Sequence, residues 1–449
     1  MNSSVVKLHT QHICYDTFAP FQIVDHSESS GTAFFFDKNL LLTCHHCVEN
    51  LIKLFISAPN VSKKQYSTDV IAIIPELDIA FLKCDEFDIE HTILELGDSD
   101  SVKPLDQVIA LGFPMDSDSL KYTKGVISGK QYEFLQTDAS INPGNSGGPL
   151  LFEDKVIGIN SHKIANAENM GFSVPINFFK KWYNYILLNM SKPKGSHPVI
   201  IRLPSIDLFY STMNETGIEY LNNKHKDQIQ SGILVTKSIN GMFQEGDLIS
   251  KINGDSIDNF GNIKWGDATV SIGKYLINFI VGENILFEGI RDGKVFTTIL
   301  PIENKQSLAA NSVYTPFEHH QYVVIGGIVI MELTSNHTDL VKAESMRDIC
   351  KINLKLAEKT KLQKTFFISR ILNGSKIISL DNVDNGDIIL SINNKELSSF
   401  EDVVDAIKTP QDDHLILYLN TDSVFIYPYD ELRKIDTELI KTYDYKLLY

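Results

Sequence analysis

Apolar positions in the first 190 residues come in short runs broken by turn residues, at β rather than helical spacing. Val5, Val6 and Leu8 open a short strand, and Ser29-Ser30-Gly31 reads as a turn. Residues 32–36 and 40–43 flank Asp37-Lys38-Asn39 as a hairpin, and runs at 68–74 and 79–82 follow. Further runs at 93–96, 107–112, 124–128, 134–136, 155–160 and 171–174 continue the series, which is the pattern of an all-β barrel or sandwich. Residues 178–188 are apolar at helical spacing and close this part of the chain.

A polar stretch with Pro and Gly at 191–197 then marks a linker. Beyond it, two segments echo each other. Residues 231–238 with 246–254 are answered by 364–370 with 386–394, and each pair carries a Gly-Asp-(Leu/Ile)-Ile core followed by a strand and a turn. Such self-similarity indicates duplicated modules. Before the second copy, 322–331 reads as a single buried strand despite its two glycines, and 339–361 reads as helical. After it come a strand at 423–427 and a charged helix at 429–443.

Composition narrows the function classes. A chain of 449 residues accommodates about three domains. The 41 Lys and Arg against 57 Asp and Glu give a net charge of −16, which argues against nucleic-acid or anionic-membrane partners. No apolar run reaches the roughly 18 residues that span a bilayer, and the N-terminus lacks a leader pattern. Five scattered cysteines (Cys14, Cys44, Cys47, Cys84, Cys350) suit a reducing compartment. The expectation is an intracellular, soluble protein of the cytoplasm or nucleus.

The candidate chemistry centres on Gly144-Asn145-Ser146-Gly147-Gly148-Pro149. Small residues leave the serine hydroxyl uncrowded and let neighbouring N–H groups turn inward, as an oxyanion site requires. Upstream, Cys44-His45-His46-Cys47 at a strand end offers a base, and Asp78 at the head of the run 79–82 offers a carboxylate to orient it. Two other readings compete. Cys44 and Cys47 form a C-x-x-C pair, but no second ligand pair at zinc spacing accompanies it. Gly144-Asn145-Ser146-Gly147-Gly148 also fits the G-x-S-x-G elbow, yet that fold needs the order serine, acid, histidine and alternating helices.

His46, Asp78 and Ser146 stand in the order of chymotrypsin-like serine proteases. The wording TCHHCV, DIAFLK and QTDASINPGNSGGPL resembles the HtrA/Deg branch of that family. The resemblance selects His46 over His45, because the catalytic histidine stands three residues after the threonine, and it implies that Cys47 is a free thiol. It implies a mainly β chain: a chymotrypsin-like double β-barrel over 1–190, split near 95–105, then two PDZ domains at 198–303 and 315–449, the second with a helical extension. It further implies a serine endopeptidase with Ser146 as nucleophile and oxyanion donors at Gly144, Asn145 and Ser146. The substrate pocket would lie at Ser140, Ser161 and Gly171, with loop 161–169 and strand 170–174 as walls.

Ser140 stands where trypsin-like enzymes carry a pocket acid, so the resemblance implies cleavage after small or medium apolar residues rather than Lys or Arg. Neither cofactor nor metal is implied. The partners implied are protein or peptide substrates and further copies of the chain, as a trimer or hexamer, with no nucleic acid and no membrane. The order protease–PDZ–PDZ is similar to plant-type Deg proteases, in which the second PDZ domain serves assembly. The rival reading is a catalytically idle protease fold that acts as a PDZ scaffold or chaperone.

Overall fold

A computed structural model describes residues 3–131, 134–163, 170–189, 198–206, 208–219, 231–238, 241–266, 268–303, 312–337 and 364–447. The linker 191–197, the helix expected at 339–361 and most of the loop 161–169 lie outside these residues. The chain forms two compact units, one of residues 1–12 with 27–305 and one of 13–26 with 306–449.

Strands β1 (Val5–Asp16) and β2 (Ala19–Phe35) form a hairpin whose far part, residues 13–26, belongs to the second unit; the first unit holds the rest of it with β3 (Leu40–Thr43), β4 (Leu51–Ser57), β5 (Gln65–Ser67), β6 (Asp69–Ile74) and β7 (Ile79–Lys83). The next strands are β8 (Gln107–Gly112), β9 (Lys121–Gln131), β10 (Phe134–Thr137), β11 (Pro149–Phe152), β12 (Lys155–Lys163) and β13 (Gly171–Pro175), and β14 (Val199–Ile200) follows the helix Ile176–Asn189. An eight-stranded sheet has the order β14-β6-β7-β3-β2-β1-β4-β5, and a closed six-stranded barrel has the order β10-β13-β12-β11-β8-β9. The helix buries Phe178, Phe179, Trp182 and Ile186, the apolar stripe expected of it.

Two local expectations fail here. Ser29-Ser30-Gly31 is no turn but part of the 17-residue β2, whose middle carries exposed polar side chains. The reversal comes instead near Thr17, where the Phe18 N–H donates to Asp16 Oδ1 at 2.9 Å, an Asx-type turn. Residues 93–96 form no strand and contribute only an isolated bridge from Leu96 to Val156.

The first unit continues with β15 (Leu208–Ser211), β16 (Ile233–Ser238), β17 (Leu248–Ile252), β18 (Asp255–Ser256), β19 (Asn262–Trp265), β20 (Ala268–Ser271), β21 (Asn284–Arg291) and β22 (Lys294–Pro301). They build the path β15-β16-β17-β21-β22, with β18 on β17 and a separate hairpin β19–β20.

In the second unit, β23 (Tyr322–Ile325), β24 (Ile328–Glu332), β25 (Phe366–Ile371), β26 (Ile388–Ile392), β27 (Lys395–Glu396), β28 (His414–Leu419) and β29 (Val424–Pro428) run β23-β24-β25-β26-β28-β29, with β27 on β26. The expected single strand at 322–331 is thus a hairpin that turns at Gly326-Gly327. Phe18 and Phe21, from the tip of hairpin β1–β2, pack on the core of this unit, and Asp16 pairs with Arg370 at 2.7 Å.

The repeated Gly-Asp motif has one local purpose in both copies. Asp247 Oδ2 accepts the Gln244 N–H and Asp387 Oδ2 accepts the Asp384 N–H, both at 2.8 Å, closing the turn before β17 and before β26. In the first copy Asp247 is buried and takes a two-pronged hydrogen bond from Arg291, at 2.7 and 2.6 Å. Removing one partner of such a pair strands the other charge. Arg291→Ala should therefore cost about 3–5 kcal/mol, read as an earlier thermal loss of that module's structure by circular dichroism; an unshifted transition would contradict the pairing.

Candidate active site

Strand β3 ends at Thr43, and the chain then makes a short 3-10 turn over His45–Cys47. This turn separates the two histidines. His45 is buried, and burial, only partly offset by the charge of Asp78, holds its pKa down to about 4. It stays neutral. His46 points toward solvent on one side, its side chain 45% exposed.

A second 3-10 turn, Pro75–Leu77, delivers Asp78 just before β7. Asp78 adopts the left-handed conformation at φ 53°, which Asp tolerates better than most residues. That twist aims its carboxylate back at the His46 turn. The His46 N–H donates to Oδ1 at 2.9 Å, His46 Nδ1 lies 2.9 Å from Oδ2, and the Ser161 O–H donates to Oδ2 at 2.6 Å. Burial pushes the Asp78 pKa up, but these hydrogen bonds outweigh it and hold the carboxyl below its ordinary value. For His46, burial opposes protonation, yet the hydrogen bonds with Asp78 and Cys47 prevail and raise the ring's pKa. With Nδ1 engaged by Asp78, Nε2 is the nitrogen that accepts a proton when the ring is neutral.

Ser146 stands between β10 and β11, and its hydroxyl donates to the Ser161 carbonyl at 2.9 Å. Among the described residues it makes no hydrogen bond to His46. The loop is held by a residue that the sequence reading passed over. Buried Thr32 donates its hydroxyl to the Gly144 carbonyl at 2.6 Å and accepts the Phe113 N–H at 3.0 Å, and its own N–H donates to the Ser146 carbonyl at 2.9 Å. These two carbonyls fix the peptide planes on either side of Asn145, whose N–H groups, those of Asn145 and Gly147, donate to the Asn142 and Asn160 carbonyls at 2.9 and 2.7 Å. Gly147 completes the turn at φ 83°; a Cβ there would fall 2.0 Å from Thr43 Oγ1 and 2.2 Å from the Thr32 carbonyl.

The other expected site residues are placed as follows. Asn145, expected among the oxyanion donors, spends its N–H on the Asn142 carbonyl at 2.9 Å and so points into the loop. Ser161, expected on the pocket wall, joins Asp78 to Ser146 instead: its hydroxyl serves one and its carbonyl the other. Ser140 is exposed. Gly171 is buried, and a Cβ on it would meet Ile141 at 2.9 Å. Asp138 takes no part in the site; it accepts the Val126 N–H at 2.6 Å and ties β9 to the turn after β10.

Cys14, Cys44, Cys47 and Cys84 are free thiols. The ligand atoms of Cys44, His46 and Asp78 lie within 4.8 Å of one another, a set that could approach a metal ion. Burial, aided by the charge of Asp78, raises the Cys44 pKa, and a thiol must lose its proton to ligate.

Residues 31–159 match the trypsin-like peptidase domain and residues 344–420 the PDZ domain. The chain is 27% identical over 355 residues to the mitochondrial protease Do-like 3 of Arabidopsis thaliana, covering 75% of this chain and 61% of that protein. It is 24% identical over 466 residues to the mitochondrial protease Do-like 4 of the same plant, covering 98% of this chain and 83% of that one. The structure of the HtrA-type protease AlgW with a tripeptide aligns with a TM-score of 0.50 at 21% identity, covering 67% of this chain and 93% of its own.

The relatives' names overturn the expectation of a cytoplasmic or nuclear protein, since both plant proteins are mitochondrial. Scattered thiols describe reducing surroundings in general and do not select between such compartments. No helix among the described residues is long and apolar enough to cross a membrane.

Thr32→Val keeps the shape and removes the hydroxyl that holds Gly144. It should slow fluorophosphonate labelling of Ser146 by roughly tenfold or more, since a single oxyanion donor is worth about 10²–10³ in rate. Unchanged labelling would show that Thr32 does not set the loop.

Proposed function

The chain belongs to the HtrA/Do-like serine proteases, with a trypsin-like peptidase domain and a PDZ domain, and we propose that it acts as an ATP-independent endopeptidase on misfolded or regulatory proteins. The proposed catalytic set is His46, Asp78 and Ser146. What carries the reading is the single carboxylate of Asp78, on which the backbone of His46, its ring and the hydroxyl of Ser161 converge. A purely structural aspartate has no need to orient an exposed imidazole.

The proposed reaction is acyl transfer. The Ser146 hydroxyl turns from the Ser161 carbonyl toward His46 Nε2 and attacks the scissile carbonyl as the ring takes its proton. Asp78 stabilises the resulting imidazolium, and the pairing that raises the ring's proton affinity also makes it the stronger base. The Gly144 and Ser146 N–H groups receive the oxyanion, which becomes acyl-enzyme as the ring returns its proton to the leaving amine. Water then repeats the sequence and releases the product.

The absence of a carboxylate at Ser140 favours small or medium apolar residues at the cleavage position. We take 1–190 as the protease segment, and 198–303 and 315–449 as PDZ modules for substrate binding and assembly, in a trimer or hexamer of the chain. The idle-scaffold reading is disfavoured by the ordered Asp78–His46 pair.

Casein digestion by the purified chain beside Ser146→Ala tests this. Wild type should cleave casein without ATP and label with fluorophosphonate, while Ser146→Ala should lose labelling and retain only about 10⁻³ of the turnover or less. Equal turnover by both, or an unlabelled wild type, would leave the scaffold reading standing.

A further inference from the structure

A lysine is rarely buried unless its charge is paired. Lys7, on β1, is only 3% exposed. Its ammonium donates to the Asp116 carbonyl at 2.8 Å and to Asp118 Oδ1 at 3.1 Å, and it pairs with Asp116 Oδ1 at 2.8 Å. Burial opposes the charge, but the hydrogen bonds to the two carboxylates outweigh it and hold the pKa above its ordinary value. All three oxygens belong to the loop between β8 and β9.

That loop is strained where Lys7 grips it. Met115 and Asp116 stand side by side at φ 55° and 59°, left-handed values that residues other than glycine rarely adopt in succession. Such backbone persists only where its surroundings dictate it. Side-chain packing is not the cause, since Met115 is 79% exposed and the Asp116 side chain 74% exposed. The restraints are polar: Lys7 on one side and, on the other, the Met115 N–H, which donates to the Pro143 carbonyl at 2.8 Å. The loop meets the serine loop backbone to backbone, for a Cβ on Gly144 would fall 2.4 Å from the Phe113 carbonyl. The Pro143 carbonyl shares a peptide plane with the Gly144 N–H, and in a trans peptide the two point in opposite directions. Whatever fixes that carbonyl therefore fixes that N–H.

We propose that Lys7 is a positioning residue for the reaction: it clamps the strained turn at Met115 and Asp116, and the turn, through the Pro143 carbonyl, aims the Gly144 N–H. Without the ammonium the turn relaxes, Met115 withdraws its N–H, and the Pro143–Gly144 peptide is free to rotate beside the flexible glycine. Thr32 holds the next peptide through the Gly144 carbonyl, so the two contacts restrain consecutive planes of the serine loop. The catalytic consequence rests on the reading of Gly144 as an oxyanion donor; the clamp itself does not.

Three variants of the full chain test this: Lys7→Met, which keeps the length and loses the charge; the pair Met115→Gly/Asp116→Gly, which accepts the left-handed turn without strain; and the two combined. On a Ser146→Ala background, hydrogen–deuterium exchange over 113–117 should quicken in Lys7→Met by about tenfold or more, since hydrogen bonds to charged groups are strong. Exchange is read there without the nucleophile, so an unlabelled wild type would count against the proteolytic reading and not against the clamp. With Ser146 present, Lys7→Met should slow the bond-forming step of fluorophosphonate labelling by about tenfold or more, approaching the worth of an oxyanion donor, and leave reversible binding of the reagent unchanged. Adding the glycine pair should restore most of the labelling rate, because a turn free of strain no longer needs a clamp. A lysine that merely stabilised its sheet could not be rescued 109 residues away. Asp118→Asn, at an exposed side chain, weakens the clamp without disturbing the core, and should show the same changes at smaller size if Lys7→Met does not fold. Unaltered exchange over 113–117 in Asp118→Asn and in a folded Lys7→Met, or slowed labelling that the glycine pair fails to restore, would overturn the proposal.

Discussion

One carboxylate at the head of β7 organises the candidate site. Asp78 is partly shielded from water, and its charge is tolerable there because three donors from two distant segments converge on it. Each donor gains a fixed orientation in return. The His46 ring is pinned through Nδ1, and Ser161 is turned so that its carbonyl meets the Ser146 hydroxyl. The eight-stranded sheet supplies histidine and acid, the six-stranded barrel supplies serine and Ser161, and the carboxylate is the knot between them.

Thr32 ties the same two parts a second time. From the buried end of β2 its hydroxyl and N–H restrain the carbonyls on either side of Asn145. The serine loop is thereby tied to β2 on both sides of Asn145. Buried hydrogen bonds of this kind contribute little net stability each, but breaking one leaves a stranded polar group, so they select a conformation strongly.

The sequence exposed the chemistry more readily than the architecture around it. Ser146 among glycines, His46 after a strand and Asp78 before one stood out as candidates because each occupies a turn with a distinctive local composition, and the structure brings His46 and Asp78 into contact. Thr32 was not legible, since a threonine in a β-rich run looks like any other β-branched residue. Its role depends on a loop 112 residues away. The reversal at Asp16–Phe18 hid because no glycine marks it, while the polar centre of β2 imitated a turn. The hairpin at 322–331 was read as one strand because buried strands on both sides of Gly326-Gly327 form a continuous apolar run. The N–H groups of those glycines donate to Asp436, on a helix whose charged surface gave no sign of a buried partner.

The account rests on His46 being tuned by Asp78, and a direct titration of the His46 ring by NMR, in wild type and Asp78→Asn, reads that most plainly. The ordinary histidine midpoint is 6.5, and the folded wild type should titrate above it. The proton-linked stabilisation is then full below pH 6.5 and lost as the pH rises through the raised midpoint. In Asp78→Asn the midpoint should fall by at least about one unit, as expected for loss of a hydrogen-bonded opposite charge. A His46 that titrates near 6.5 in both proteins would contradict the claim that this carboxylate sets the base.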